Sequence, residues 1–294
     1  MINVRDVCKR LGANQVLEDI NFEVKKGTVF GLVGENGAGK TTLIKCMTGI
    51  YKPEKGHINI DKQDVFDNPK AKIKIGYVAE QNQYFQSYKI AEMLKFYELT
   101  YQDFSRKNFN NLNENFKLNI NSRIRELSKG MQMRLALMLN LCHHPEVLIL
   151  DEPTSGLDPV AKRNFIKILM QEVEERKTTV FISSHHLSDL ERICDTIAVI
   201  KKGRIQYINS LEEMKSNIRK LQVIFQNSPP EDMRNWPEIM AVEKIGRVFY
   251  LITKEYTEEL TNKLHNENPI FVEEVDLSLE DMFIYSAEEG LADA

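Results

Sequence analysis

The segment Gly34-Glu35-Asn36-Gly37-Ala38-Gly39-Lys40-Thr41 constrains this chain more than any other. It satisfies G-x-x-x-x-G-K-[ST], and its setting carries the weight. A β-rich run, Val29–Val33, precedes it and a helical run, Thr42–Met47, follows, which is the strand–loop–helix context that a phosphate cradle needs. Glycines let successive backbone N–H groups converge on phosphate oxygens at the positive end of a helix. Lys40 is then placed to reach β- and γ-phosphates, and the Thr41 hydroxyl to ligate Mg²⁺. Asn36, Gly37, Ala38, Gly39 and Thr42 complete the expected nucleotide-binding set.

Such a loop calls for an acidic partner at the tip of a neighbouring strand. Val147-Leu148-Ile149-Leu150-Asp151-Glu152 supplies four apolar residues and then two carboxylates. Side chains alternate direction along a strand, so adjacent carboxylates take different tasks. Asp151 is expected to hold Mg²⁺ and Glu152 to polarise the attacking water. Further apolar runs at Thr179–Ile182 and Thr196–Ile200 alternate with helical stretches. That pattern predicts an α/β fold with a parallel sheet covered on both faces. Between Ser87 and Cys142 two amphipathic helices are expected, Ile90–Tyr97 and Met131–Leu141, joined by an Asn-rich stretch, 108–121, that reads as solvated loop.

Bulk properties exclude several classes. No apolar run approaches the roughly 18 residues of a membrane span, and mean hydropathy is −0.37. The N-terminus shows no secretory pattern, so a soluble, cytoplasmic chain is expected. Cys8, Cys46, Cys142 and Cys194 are scattered singly, which suggests buried thiols rather than a zinc site or disulfide framework. His143-His144 and His185-His186 are neighbours with no metal-ligand spacing. From Met214 to Ala294 the chain has 16 Asp and Glu against 8 Lys and Arg, so this region carries −8 and residues 1–213 carry +4 of the total −4. An acidic tail argues against nucleic acid as a partner. No N-K-x-D element is present to read guanine.

Further motifs identify a resemblance. Leu127-Ser128-Lys129-Gly130-Met131 resembles the LSGGQ signature of ABC transporter ATPases, Ser155-Gly156-Leu157-Asp158 that family's D-loop, and His185 its switch histidine. The motifs run in order from about Val4 to Ile208. The resemblance implies a P-loop NTPase with a RecA-like core, an antiparallel β portion and an inserted helical subdomain at about 87–144. It implies that two nucleotide-binding domains, identical or related, pack head to tail around ATP. Ser128, Lys129, Gly130 and Met131 then face the partner's ATP, Asp158 crosses the interface, and His185 contacts the γ-phosphate. It also places Leu11 and Val16 beside the base, with Leu11 where the family usually has an aromatic. Glu80 aligns with the family's Q-loop glutamine and Gln81 follows it. Either is a candidate for approaching Mg²⁺ and water.

Beyond Gly203, a strand at Arg204–Ile208 and a short helix from Ser210 are expected to close the first domain, 1–213. Strands at Leu221–Phe225, Val248–Ile252 and Ile270–Val275, with helices at Thr257–Leu264 and after Ser278, predict a small α/β domain at 214–294. Leu277–Phe283 resembles the S-L-E-D-x-F terminus of ABC-2-type exporter ATPases. The implied protein is an exporter ATPase, peripheral on the inner face of the membrane, driving separate transmembrane permease subunits. A soluble ABC-type ATPase acting on nucleic acid or ribosomes is the alternative.

Overall fold

The computed structural model describes residues 1–81, 84–212, 219–226, 229–230, 232–253, 257–276 and 281. The chain divides into two compact units, Met1–Ile208 and Asn209–Ala294.

In the first unit, β1 (Ile2–Leu11) and β2 (Asn14–Val24) form an antiparallel hairpin that pairs through β1 with β4 (Lys55–Ile60), which pairs in turn with β5 (Gln63–Asp64). A six-stranded sheet stands apart from this one. It orders β10 (Arg204–Ser210), β9 (Thr196–Lys201), β3 (Val29–Val33), β8 (Thr179–Ser184), β7 (Val147–Asp151) and β6 (Ile75–Val78). Strands β9, β3, β8, β7 and β6 run parallel. Every residue of β3, β7 and β8 is buried, as strands covered on both faces require.

Helix α1 (Lys40–Met47) packs Leu43, Ile44 and Met47 into the core shared by the two sheets. Within that core Phe22, Phe30 and Phe181 stack at centroid separations of 5.2–5.8 Å, joining β2 to β3 and β8. The crossover elements are α2 (Pro69–Lys72), α3 (Ile90–Thr100), α4 (Arg106–Phe116), α5 (Lys129–Leu141), α6 (Pro159–Arg176) and α7 (Leu187–Leu190).

One expectation fails between β6 and β7. The Asn-rich stretch read as loop contains α4, a three-turn helix holding five asparagines. Asparagine is a poor helix former, but the ends are well specified. The Ser105 hydroxyl accepts from Asn108 N at 3.1 Å, and Lys117 closes the helix with φ of 52°. Phe109 and Phe116, seven residues apart, bury one face. Local caps and two large apolar anchors override composition.

Cys46, Cys142 and Cys194 are buried thiols, whereas Cys8 is only half-buried. No helix among the described residues is long and apolar enough to cross a membrane.

The second unit is built on a sheet ordered β12 (Ile239–Ile245), β13 (Val248–Thr253), β11 (Arg219–Phe225) and β14 (Pro269–Val275), with antiparallel pairing throughout. Taken in chain order this is the 4-1-3-2 arrangement of a ferredoxin-like motif. A single 3-10 turn, Met233–Asn235, stands where the first helix would be, and α8 (Glu258–Asn266) is the second. Leu221, Val223 and Leu251 pack against Leu260 and Leu264 of α8. The helix expected from Ser210 and the segment Leu277–Phe283 lie largely outside the described residues. Asp281 is described, and its Oδ2 is 3.4 Å from Lys220 Nζ.

Candidate active site

The glycine-rich loop leaves the C-terminal end of β3 and enters α1 through Gly39, whose φ of 113° is open to glycine almost alone. A Cβ on Gly34 would come within 2.5 Å of the Ile200 carbonyl oxygen. The loop is therefore seated against β9 so closely that a side chain there displaces it. Lys40 is 6% exposed and folds back under the loop, donating to Gly34 O at 2.6 Å and Glu35 O at 3.2 Å.

The tip of β7 closes on the same point. Glu152 Oε1 is 3.2 Å from Lys40 Nζ, while Oε2 is 2.8 Å from His185 Nδ1. The Lys40 contact is a charge contact without hydrogen-bond geometry, since Oε1 has no hydrogen-bond partner. Glu152 takes a left-handed backbone, φ 49°, a conformation uncommon outside glycine. Burial pushes the Asp151 carboxyl above the usual carboxylate range, and hydrogen bonds from Ser183 and Thr41 oppose that shift. Lys40, Thr41, Asp151, Glu152 and His185 are thus brought together at one end of the parallel sheet. A buried carboxylate hydrogen-bonded to a hydroxyl is a hard-oxygen pair of the kind Mg²⁺ prefers, so these residues fit the ion.

The signature residues form a separate cluster. Ser128 caps α5, its hydroxyl accepting from Met131 N at 3.3 Å. Ser128, Lys129, Gly130, Met131, Gly156 and Asp158 share the lining of a concavity of about 320 Å³. Asp158 caps α6 by accepting from Ala161 N at 2.9 Å. Glu80 and Gln81 open into a neighbouring cleft of about 710 Å³ with Lys129, Gln132, Ser155 and Gly156. Both residues are exposed.

Of the two residues expected beside the base, Val16 lies against the phosphate loop, because a Cβ on Gly39 would meet its carbonyl oxygen at 3.1 Å. Leu11 sits at the β1–β2 hairpin tip opposite Asn14, 41% exposed.

Three features escaped the sequence reading. Ser183 Oγ donates to Asp151 Oδ1 at 2.7 Å and accepts from Glu152 N at 3.0 Å. The contact follows from the parallel register, which pairs Asp151 with Ser183. Asn140 of α5 accepts from Tyr77 N of β6 at 3.0 Å. Asp189, on α7, binds Thr154 and Lys162. Only the first had a visible signal, its place in the string Ser183-Ser184-His185.

A glycine-rich loop, a lysine and paired carboxylates at one end of a parallel sheet define a P-loop nucleoside triphosphatase. The family model for ABC transporter matches residues 17–155. The ABC transporter ATP-binding protein YtrB of Bacillus subtilis (strain 168) is 32% identical over 283 residues, covering 94% of this chain and 96% of that protein. The chain belongs to the ABC transporter ATP-binding family, as an ATP-hydrolysing subunit of a transporter system. The bacitracin transport ATP-binding protein BcrA of Bacillus licheniformis is 31% identical, covering 97% of this chain and 96% of that one. A solved structure, that of an ATP-binding subunit of an ABC transporter, superposes with a TM-score of 0.67 at 28% identity, covering 73% of this chain and 92% of that chain.

Proposed function

We propose that this chain hydrolyses ATP as half of a head-to-tail dimer and drives separate transmembrane subunits of an exporter. The observation that carries the reading is Glu152, a buried carboxylate held between Lys40 at 3.2 Å and His185 at 2.8 Å. A base held this way can orient a water against a γ-phosphate bound on the loop. Lys40 shifts from the Gly34 and Glu35 carbonyls to the β- and γ-phosphates, and the backbone N–H groups of residues 36–42 hold their oxygens. His185 keeps Glu152 aimed and contacts the γ-phosphate. Thr41 and Asp151, with Glu80 or Gln81, would hold Mg²⁺, which neutralises phosphate charge. Val16 and Leu11 border the base.

The second half of the site comes from another subunit. Ser128 and Gly130, at the positive N-terminus of α5, offer a partner's γ-phosphate a cap, and Lys129 and Met131 flank it. Asp158 shares their concavity. In this reading residues 1–213 form the ATPase domain and 214–294 an accessory domain. An aromatic surface suits the membrane partner: Phe85 and Tyr88 stack at 4.8 Å and are 55% and 38% exposed, beside Phe96. In this reading the chain sits on the inner face of a membrane through its permease.

Glu152→Gln tests the reading. It should bind ATP, lower kcat about 100-fold or more, and accumulate as a dimer by light scattering. Hydrolysis at the wild-type rate, or a monomer at saturating ATP, contradicts it. Salt-sensitive binding of DNA or RNA would favour the soluble nucleic-acid alternative.

A further inference from the structure

Asp189 is nine-tenths buried, with a side-chain exposure of 10%, and both carboxylate oxygens are engaged. Oδ2 accepts from the Thr154 hydroxyl at 2.9 Å, and Oδ1 pairs with the Lys162 ammonium. These contacts tie two ends of one short stretch of chain to a residue that follows them by 35 and 27 positions. Thr154 lies in the loop that leaves Glu152, and Lys162 lies in the first turn of α6, whose cap is Asp158. Asp189 itself stands four residues past His185, on a short helix fastened to the core by the buried Leu190.

The loop between the two anchor points has few other restraints. Ser155 N bonds Glu152 O at 3.1 Å and Leu157 N bonds Thr154 O at 3.3 Å, and Gly156 takes φ of 73°. Ser155, Gly156 and Asp158 are exposed. Asp158 at its far end accepts from Ala161 N at 2.9 Å and lies 3.9 Å from Arg134. Between Ser155 and Leu157 the exposed, glycine-containing stretch carries two local turns, and such loops sample many conformations. A buried carboxylate that grips it at both ends restricts that freedom, and buried charged hydrogen bonds are strong enough to do so.

We propose that Asp189 is a positioning residue, which fixes the 153–158 loop against the His185 strand end and so sets where Asp158 and His185 stand relative to Glu152. It touches no substrate. The inference rests on the reading of Glu152, His185 and Asp158 given above. Removing the brace displaces reacting groups by a fraction of an ångström to about 1 Å, a displacement able to cost on the order of 100-fold in rate. Among the described residues the hydrogen-bond and ion-pair partners of the Asp189 carboxylate are Thr154 and Lys162, not the phosphate loop, so nucleotide binding to one subunit should stay as it was.

The experiment compares Asp189→Ala and Asp189→Asn with wild type and Glu152→Gln. The readouts are the Kd of a fluorescent ATP analogue, the thermal midpoint, kcat and the Hill coefficient for ATP. Asp189→Ala should lower kcat about 10- to 100-fold and bring the Hill coefficient toward 1, with Kd within about twofold. Asp189→Asn, which still accepts from Thr154 but loses the charge pair, should fall between. If Asp189→Ala does not fold, Thr154→Val and Lys162→Met each remove one arm of the brace. Their effects on kcat should combine non-additively. Wild-type kcat and Hill coefficient in folded Asp189→Ala, or in both single-arm variants, overturn the proposal. So does a parallel loss of Kd and thermal stability. Normal turnover by Glu152→Gln would instead sink the functional reading on which the proposal depends.

Discussion

His185 Nδ1 stands 2.8 Å from Glu152 Oε2, while the other oxygen of the same carboxylate stands 3.2 Å from Lys40 Nζ. One carboxylate therefore links the strand end that follows β8 with the lysine of the phosphate loop. It is the negative charge that faces Lys40.

Glu152→Gln should for that reason bind ATP more tightly than wild type as well as hydrolysing it slowly. It removes both the competitor for Lys40 and the repulsion of a γ-phosphate. We expect roughly tenfold lower Kd, about 1.4 kcal/mol, by fluorescence titration. An unchanged or weaker Kd would show that the Lys40 contact has no energetic weight.

His185→Ala should lower kcat by a factor of about 100 or more, the range for a group that aligns a catalytic base. It leaves Lys40 and the glycine loop intact, so ATP affinity should change little. Steady-state kinetics that show a raised KM at constant kcat would place His185 in ground-state binding instead.

Asp151 carries a stability consequence. Burial raises its carboxyl pKa, so the folded state holds the proton more tightly than the unfolded chain does. A raised carboxyl favours folding below its unfolded pKa, and this advantage is lost as pH rises through the folded value. At neutral pH the ionised, buried carboxylate is therefore a liability. Asp151→Asn, which can still accept from Ser183, should raise the midpoint of the nucleotide-free protein by about 2–4 °C, the shift per kcal/mol for a domain of this size. The same variant should lose ATPase activity. Calorimetry at pH 7 without nucleotide checks the sign, and a lower midpoint would refute the argument.

Much of this site was legible because its chemistry is local. Gly34–Thr41 needs only a strand before it and a helix after it, and Asp151-Glu152 only a buried strand behind. The roles of Ser128 and Asp158 were implied only by a family resemblance, and nothing in their spacing announces the concavity they share. What remained hidden depends on register and on long-range partners. Ser183 meets Asp151 because β7 and β8 run parallel with that pairing, and Asp189 reaches Thr154 across 35 residues. Asparagine content concealed α4, because propensity weighs composition whereas Ser105, Phe109 and Phe116 decide the helix through a cap and two buried rings.

Ser183→Ala should report on that hidden register. It strips Asp151 of a donor and leaves the buried Glu152 N–H unpaired. An unsatisfied buried group costs about 1–3 kcal/mol, so urea unfolding should shift by that amount. The activity loss should exceed the stability loss, because Glu152 holds a left-handed backbone, φ 49°, that its N–H bond helps to fix. Ser183→Thr, which keeps the hydroxyl, should recover most of the rate. Failure of Thr to rescue would assign the effect to packing.

His143 gives the last test, at the far end of α5. It is buried, its ring lies parallel to Tyr101 at 4.2 Å, and neither ring nitrogen has a hydrogen-bond partner. Burial lowers its pKa from 6.5 to about 4. The folded state thus prefers the neutral ring, and its contribution is complete above the unfolded value of 6.5. It is lost as pH falls toward the folded value, by about 3 kcal/mol at pH 4. His143→Phe keeps an aromatic face for Tyr101 and removes the titration. Its urea stability should decline less than that of wild type between pH 7 and pH 4, by about that margin. Parallel pH profiles for the two proteins would mean that His143 is protonated alike in the folded and unfolded chains.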